Sequence, residues 1–216
     1  MDRAKIGIVT GLQAEAQWLR DAGFKVMVGG GTPLGARKAA EALVDEQGVL
    51  GLLSFGLAGG LQKGLKPGRI LVPSAIQAGL LTFPCDYRLL EFLGGPLAGP
   101  ILGWHKIVTS AEEKQLLSQR YHVAAVDLES GAVAEVAKER ELPFAVLRAV
   151  ADPAERDLPP AALVALKADG KLDGMALARS ILSQPRQIPG LIKVGRDAAA
   201  ARKALINWVK TLPEKI

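Results

Sequence analysis

Acidic residues follow two apolar runs near the middle of the sequence. Val123–Val126 leads into Asp127 and Glu129, and Phe144–Val150 leads into Asp152. Carboxyl groups in such places can exchange protons with a ligand or accept hydrogen bonds from its hydroxyl groups. These acids are therefore the first candidates for chemistry, and their use depends on the elements that hold them.

The segment between the two runs has the pattern of a helix, because its apolar residues recur at helical spacing and charged residues fill the other face. An apolar run, a helix of about ten residues and a second apolar run are typical of a βαβ unit with a buried parallel strand pair. Ligands bind beyond the carboxyl ends of the strands in open α/β sheets. We therefore expect Glu129 and Asp152 on the same rim of a sheet.

The rest of the chain also alternates between strand and helix patterns, so the predicted fold class is α/β with three layers, α/β/α, and a helical C-terminal end. Further strands are predicted at Lys5–Thr10, Phe24–Val28, Leu52–Phe55, Arg69–Val72, Ala75–Leu80 and Ile101–Val108. Further helices are predicted at Ala14–Ala22, Leu34–Gln47, Ala111–Gln119, Ala161–Ala168, Met175–Gln184 and Leu191–Leu212. Residues 81–100 are irregular, and no linker separates a second domain, so residues 1–216 are predicted to form one domain.

Composition restricts the class of protein further. Hydrophobic residues make up 49% and charged residues 23% of the 216 residues, which is ordinary globular composition. The single cysteine, Cys85, allows no intramolecular disulfide and is typical of a reducing compartment. We expect no membrane-spanning segment and no signal peptide, and hence a cytoplasmic protein.

Glycines follow three of the predicted strands, at Gly11, Gly29–Gly31 and Gly56–Gly60. Glycine lets backbone N–H groups approach an anion, and three such loops together favour a small-molecule pocket. The Walker and GxGxxG patterns are missing, which argues against a P-loop ATPase and a Rossmann dehydrogenase. His105 and His122 lack metal-ligand spacing, so no metal site is predicted.

Four segments together resemble the nucleoside phosphorylase and nucleosidase superfamily: KIGIVTGLQAE, SFGLAGGLQKGLKPGRILVPSAI, AVDLESGAVAEVA and PFAVLRAVAD. They occur in the superfamily's order within residues 5–155. The segments GLAGGL, VDLES, LRAVADPAERDLPPAAL and IPGLIKVGRDAA resemble more narrowly the hopanoid-associated phosphorylases. The resemblance implies a central mixed, largely parallel sheet and cleavage of the N-ribosidic bond of a purine nucleoside.

The resemblance also implies roles for individual residues. Asp152 is expected to be the acid that serves purine N7, and Glu15 the glutamate that activates water. Glu129 is expected to accept hydrogen bonds from the ribose hydroxyls, with Leu128 packing under the ribose. The base pocket and its loop are assigned to Leu57, Ala58, Gly59 and Arg148. Gly11 and Arg37 are assigned to phosphate.

The sequence leaves the reaction partly open. The predicted reaction is adenine release from adenosylhopane in hopanoid biosynthesis, with inorganic phosphate as an optional co-substrate and no other cofactor. One alternative is a hydrolytic nucleosidase that acts on a small soluble nucleoside such as methylthioadenosine. A second alternative is a catalytically silent nucleoside-binding protein. The superfamily forms dimers to hexamers, so a homo-oligomer is expected.

The C-terminal end is basic, with ten Lys or Arg against four acids in residues 167–216. Its last predicted helix carries an apolar stripe, which predicts docking on the domain's own sheet. The alternative is peripheral contact with the inner face of a membrane, made with apolar residues of the irregular 81–100 segment. Those residues are Leu80, Leu81, Phe83, Leu89, Leu90, Phe92 and Leu93. Aromatic residues make up only 5% of the chain and do not interleave with basic ones, which argues against nucleic-acid binding.

Overall fold

The computed structural model describes residues 2–164 and 174–215, and nine strands in these residues form one mixed sheet. The strands are β1 (Ile6–Thr10), β2 (Lys25–Val28), β3 (Gly51–Gly60), β4 (Ile70–Leu71), β5 (Ala75–Ala78), β6 (Leu81–Pro84), β7 (Ile101–Gly103), β8 (Ala125–Asp127) and β9 (Phe144–Asp152). The helices are α1 (Gln13–Asp21), α2 (Pro33–Asp45), α3 (Tyr87–Phe92), α4 (Ala111–Tyr121), α5 (Ser130–Glu139), α6 (Pro160–Val164), α7 (Gly174–Ser183) and α8 (Ile188–Thr211).

The strand order is β2-β1-β3-β8-β7-β5-β6, and β9 pairs with β3 and β4. Five of these strand pairs are parallel and three are antiparallel. Buried side chains of α1, α3 and α8 pack on one face of the sheet, and those of α2 and α5 pack on the other. The predicted three-layer α/β/α fold with a mixed, largely parallel sheet is therefore confirmed.

β3 is the strand that organises the sheet, and it is longer than the sequence predicts. We expected it to end at Phe55 and to continue as a glycine loop, whereas it stays extended through Gly60. β1 pairs only with the first half of β3, from Gly51 to Phe55. The glycine half therefore has a free edge on that side, and β8 pairs there in the antiparallel direction.

This pairing corrects the predicted parallel βαβ unit. β8 and β9 are not neighbours, because they pair with opposite edges of β3, β8 antiparallel and β9 parallel. Gly59 pairs with Val126 on one side and with Asp152 on the other. The carboxyl ends of the two strands thus meet from opposite directions at one glycine, and Glu129 and Asp152 still reach the same site.

The segment predicted to be irregular forms a hairpin strand, β6, and a short helix, α3. The Asp86 side chain begins α3 by accepting hydrogen bonds from the backbone N–H groups of Arg88 and Leu89. Among the apolar residues expected at a membrane surface, only Leu80 and Leu81 are exposed. The other five are buried in the core, so the alternative of membrane contact is wrong for them. These residues are Phe83, Leu89, Leu90, Phe92 and Leu93.

The last helix begins earlier than predicted, at Ile188, because Pro189 occupies its first turn, where a missing N–H is tolerated. Ala201, Leu205 and Val209 are buried against the sheet core, as the docking interpretation predicts. Of the helix predicted at Ala161–Ala168, residues 165–168 lie outside the described residues. Within residues 2–164 and 174–215, no helix is long and apolar enough to cross a membrane.

Candidate active site

A cavity of about 320 Å³ lies where β3, β8 and β9 meet. The glycine end of β3 forms its base, and the carboxyl ends of β8 and β9, with the segment just after β8, supply its acids. Residues of α6 and α8 close one side with small apolar side chains. The lining residues include Gly11, Gly31, Leu57, Ala58, Gly59, Lys106, Ile107, Val108, Asp127, Leu128, Glu129, Asp152, Leu158, Ala162, Val194 and Ala198.

Asp152 lines this cavity from the last position of β9 and is 8% exposed. Its Oδ2 accepts a hydrogen bond of 2.5 Å from Nζ of Lys114. Its Oδ1 is buried and has no hydrogen-bond partner among the described residues. Burial raises the pKa of Asp152, and the charges of Lys114 and Arg156 oppose that rise.

Glu129 is the residue immediately before α5 and is almost completely buried. Burial raises its pKa to about 7, Asp127 and Glu15 push in the same direction, and Arg148 opposes the rise. Nη1 of Arg148 lies 3.4 Å from Oε2 of Glu129, while Oε1 has no partner among the described residues. One oxygen therefore keeps unused capacity to accept hydrogen bonds.

Glu15 lies in the first turn of α1, next to the pocket rather than on its lining, and is 1% exposed. Its Oε2 accepts a hydrogen bond of 2.5 Å from the Thr10 hydroxyl, and Oε1 is unpartnered in the part of the chain that the structure describes. Burial raises the pKa of Glu15, which the Thr10 hydroxyl and the charge of Arg148 oppose.

Arg148 lies under the pocket, fully buried, and does not line the cavity. Its Nη2 pairs with Asp127 and donates a 2.6 Å hydrogen bond to Ser54 Oγ, and its Nη1 faces Glu129. This corrects its assignment to the base pocket: the guanidinium is occupied by the acids beneath the site. From this position it can orient the carboxyl groups of Asp127 and Glu129.

Gly56 shows how tightly this layer is packed. A Cβ built on Gly56 would lie 2.7 Å from Nη1 of Arg148 and 3.5 Å from Oε2 of Glu15. The residue has a φ of +145°, which L side chains rarely adopt. Only glycine therefore lets β3 pass between the arginine and the glutamate.

The structure brings most of the predicted site residues together. Gly11, Leu57, Ala58, Gly59, Leu128, Glu129 and Asp152 all line the cavity, with Glu15 and Arg148 buried beside it. A Cβ on Gly11 would lie 3.1 Å from Oε1 and 3.2 Å from Oε2 of Glu129, so Gly11 lies directly against that carboxyl group. The roles of these residues stay predictions.

Arg37 is the exception. It lies on the surface of α2, where it pairs with Glu41 at 3.0 Å, Glu135 at 3.6 Å and Glu139 at 2.5 Å. It does not line the cavity. The assignment of Arg37 to phosphate is therefore corrected, because three glutamates hold its side chain on the α2–α5 surface.

Lys114 is the site residue that the sequence did not predict. It belongs to α4, is completely buried, and donates to Asp152 Oδ2, the Pro153 carbonyl and the Arg156 carbonyl. Its helix, AEEKQLLSQRY, is polar on most sides, so the sequence gives no sign that this lysine is buried. Within the described ranges, no cluster of three or more His, Cys, Asp or Glu side chains could hold a metal ion.

Residues 23–171 match the family model described as the phosphorylase superfamily. The chain therefore belongs to this superfamily and is an enzyme of the nucleoside phosphorylase and nucleosidase class, which confirms that prediction. No curated protein matches the sequence significantly. The narrower resemblance to hopanoid-associated phosphorylases stays a prediction.

Solved structures with the same fold include nucleosidases and a hydrolase. The 5′-methylthioadenosine/S-adenosylhomocysteine nucleosidase of S. pneumoniae has a TM-score of 0.67 at 16% identity, over 95% of this chain and 98% of that one. The enzyme of the same name from Colwellia psychrerythraea 34H, in complex with adenine, has a TM-score of 0.67 at 16% identity, over 98% and 96%. The futalosine hydrolase of Helicobacter pylori has a TM-score of 0.61 at 20% identity, over 68% and 87%. These similarities establish the fold.

Proposed function

We propose that the protein cleaves the N-ribosidic bond of a purine nucleoside and releases adenine, with water as the attacking group. The observation that carries the proposal is the convergence of Asp152 and Glu129 on one cavity, with Glu15 buried beside them. A nucleosidase needs an acid at the base, an acceptor at the ribose and a base for the nucleophile. The site offers one carboxyl group for each task.

Asp152 supplies the proton to the leaving base. A purine leaves more easily when N7 is protonated as the bond from N9 to C1′ breaks. An aspartic acid in water titrates near pH 3.9 and is ionised at neutral pH. Burial raises the pKa of Asp152, so the carboxyl group retains a proton closer to neutral pH.

Glu129 holds the ribose and favours its cationic transition state. Its unpartnered Oε1 can accept hydrogen bonds from the 2′- and 3′-hydroxyl groups, each contributing about 1.5–3 kcal/mol when the acceptor is charged. In its carboxylate form, which it takes as pH rises through its pKa of about 7, it favours positive charge developing on the sugar ring. A Glu129→Gln variant should therefore lose much more activity on a riboside than on its 2′,3′-dideoxy analogue. Equal losses on the two substrates would contradict the ribose assignment.

The charges around the pocket favour water over phosphate as the attacking group. Gly11, the backbone expected to bind phosphate, lies against the carboxyl group of Glu129. Among the described lining residues, the one basic side chain is Lys106, which pairs with Glu113 at 2.8 Å. A phosphate dianion would meet carboxyl groups there, whereas the carboxyl group of Glu15, buried beside the cavity, can act as the base that takes a proton from water.

The apolar side of the cavity supports a substrate with an apolar 5′ substituent. Val194 and Ala198 of α8, Ala162 of α6 and the neighbouring Leu158 form this side. Methylthioadenosine has a small substituent of this kind, and the solved neighbours named for that nucleoside share the fold. Adenosylhopane, the substrate that the narrower resemblance implies, has a large one, which would have to extend out of a cavity of about 320 Å³.

Product identification tests the proposal. The protein is incubated with adenosine, methylthioadenosine and a lipid-linked adenosine, each with and without inorganic phosphate, and the sugar and base products are identified by mass spectrometry. We expect adenine and the free sugar, without a sugar phosphate, and little activity in an Asp152→Asn variant. Formation of the sugar 1-phosphate would contradict hydrolysis. Tight binding of adenine without turnover would indicate the silent binding protein.

A further inference from the structure

Lys114 is buried with three hydrogen-bond acceptors around its Nζ, which matches the three N–H donors of an ammonium group. None of its surface is exposed, and its Nζ donates to Asp152 Oδ2 at 2.5 Å, the Arg156 carbonyl at 2.7 Å and the Pro153 carbonyl at 3.1 Å. A lysine ammonium has three N–H donors, and here each has an acceptor. Two of the acceptors are fixed backbone atoms just after β9, so the nitrogen is held in place independently of the aspartate.

The two oxygens of Asp152 are consequently not equivalent. Oδ2 is bound by Lys114, whereas Oδ1 has no hydrogen-bond partner among the described residues. The other nearby cation, Nη2 of Arg156, is 3.9 Å from Oδ1 and pairs with Asp197 of α8. Asp152 itself lines the cavity, while Lys114 stands behind it.

We propose that Lys114 is a positioning residue for base release: its ammonium, held by two backbone carbonyls, fixes the carboxyl group of Asp152 in the orientation from which it protonates the base. The inference rests on the proposed nucleosidase function. In the step itself, the proton moves from the Asp152 carboxyl group to N7 as the bond from N9 to C1′ breaks, and the electron pair of that bond stays with the base. Asp152 becomes a carboxylate, and Lys114 keeps its own protons.

The charge of Lys114 matters most as that carboxylate forms. A cation held next to developing negative charge in a site shielded from water stabilises the transition state without having to reorient. Three charged groups face Asp152: Lys114 from α4, Arg156 from the segment after β9, and Asp197 from α8. Burial raises the pKa of Asp152, and Lys114 contributes the largest opposition to that rise.

Steady-state kinetics against pH separate this role from a merely structural one. In Lys114→Met we expect kcat to fall by about 10²-fold with little change in KM. On the alkaline side of the pH profile (its basic limb), the pH at which kcat/KM falls should rise by about 1–3 units, because loss of the adjacent cation lets Asp152 keep its proton. Lys114→Arg retains the cation, so its basic limb should stay at the wild-type position. A Met variant with the wild-type limb would overturn the proposal.

A double-mutant cycle tests whether Lys114 acts through Asp152. Adding Lys114→Met to Asp152→Asn should change the residual turnover by less than about twofold, because residues that act as a unit are not additive. If the two losses multiply, Lys114 does not act through Asp152. Lys114→Met and Lys114→Gln are also compared with the double variant for folding. If both single variants fail to fold while the double variant folds, the lysine is needed to neutralise the charge of Asp152, which supports the proposal. If the double variant also fails to fold, the role is structural and the proposal is wrong.

A readout that needs no activity keeps this inference distinct from the proposed function. The side-chain carboxyl carbon of Asp152 is titrated by ¹³C NMR, assigned by its disappearance in Asp152→Asn. Its pKa should rise by about 1–3 units in Lys114→Met and stay near the wild-type value in Lys114→Arg. An unchanged titration in folded Lys114→Met would overturn the proposal. If no nucleoside is cleaved and the NMR shift is present, Lys114 still controls the proton on Asp152, and it is the proposed function that fails.

Discussion

Two arginines in this protein each face three carboxyl groups. The two clusters have the same composition, but one is buried and the other is exposed to solvent. Arg148 faces Asp127, Glu129 and Glu15 under the pocket, and its side chain is 1% exposed. Arg37 faces Glu41, Glu135 and Glu139 on the surface, and its side chain is 34% exposed.

The difference in exposure decides what each cluster can do. In water, ion pairs of the Arg37 kind contribute about 0–1 kcal/mol and are screened by salt. Under the pocket, removing the charged groups from water raises the pKa of Glu15 and Glu129 in spite of the arginine between them. The buried cluster can therefore hold protons near neutral pH, and the exposed one serves only to tie α2 to α5.

Arg148→Met should produce the largest effect. It leaves three carboxyl groups buried without their cation, which costs about 3–5 kcal/mol of the free energy of unfolding. Turnover should also be lost, because Glu129 and Glu15 lose the group that fixes them. Denaturant unfolding measures the first effect and adenine release the second. A loss below about 1 kcal/mol would mean that the buried cluster behaves like the surface one.

Gly56→Ala should disturb the same cluster from the backbone side. Its new Cβ would lie 2.7 Å from Nη1 of Arg148, at a φ of +145° that alanine tolerates poorly. We expect a loss of about 1–3 kcal/mol, measured by denaturant unfolding, together with lower turnover. Gly23→Ala is the matched control, since Gly23 also has a positive φ, +91°, but no atom within 4 Å of its Cβ position. Gly23→Ala should lose stability without losing turnover; equal turnover losses would contradict the steric argument.

The pH dependence of stability gives a third comparison, between Glu129→Gln and the wild type. The pKa of Glu129 is raised from 4.5 to about 7 in the folded protein. Its contribution is therefore fully present below pH 4.5 and is lost as pH rises to 7. Glutamine does not titrate, so the Tm of Glu129→Gln relative to wild type should rise from pH 5 to 7 and level off above it. A difference in Tm that stays flat with pH would contradict the raised pKa of Glu129.

Arg37→Met should have the smallest effect. Because its three partners are solvated, we expect a change below about 0.5 kcal/mol in the free energy of unfolding and unchanged turnover. High salt should reduce even this change. A loss of turnover in Arg37→Met would restore the phosphate assignment that its position in the structure argues against.

The sequence predicts the layers of the fold and the acids of the site because both follow from local patterns. Glu15, Glu129 and Asp152 each stand at a strand end or a helix start, and apolar runs of buried strands are easily recognised. The direction of β8 was not predictable in this way. It depends on β3 continuing past β1 through its glycines, which is a contact between distant parts of the chain.

Long charged side chains account for the other errors. Arg37 lies on the polar face of the amphipathic helix α2, whereas Lys114 lies on α4, whose sequence is polar on most sides and does not mark a buried face. One is drawn outward by glutamates of its own helix and of α5, and the other inward by two backbone carbonyls and Asp152. Such choices depend on which acceptors the folded chain places within reach, and hence on the tertiary structure.

Helix α8 both packs in the core and lines the cavity, and this affects how the substrate preference of the enzyme can change in evolution. One stretch of the helix, with Ala201, Leu205 and Val209, anchors it in the core, and an earlier stretch places Val194 and Ala198 at the cavity. None of these residues belongs to the strands that carry the acids. Exchanging Val194 or Ala198 for larger or smaller side chains would reshape the cavity while leaving the acids on the strands untouched. Substrate preference can therefore evolve on this helix, one side chain at a time, independently of the chemistry.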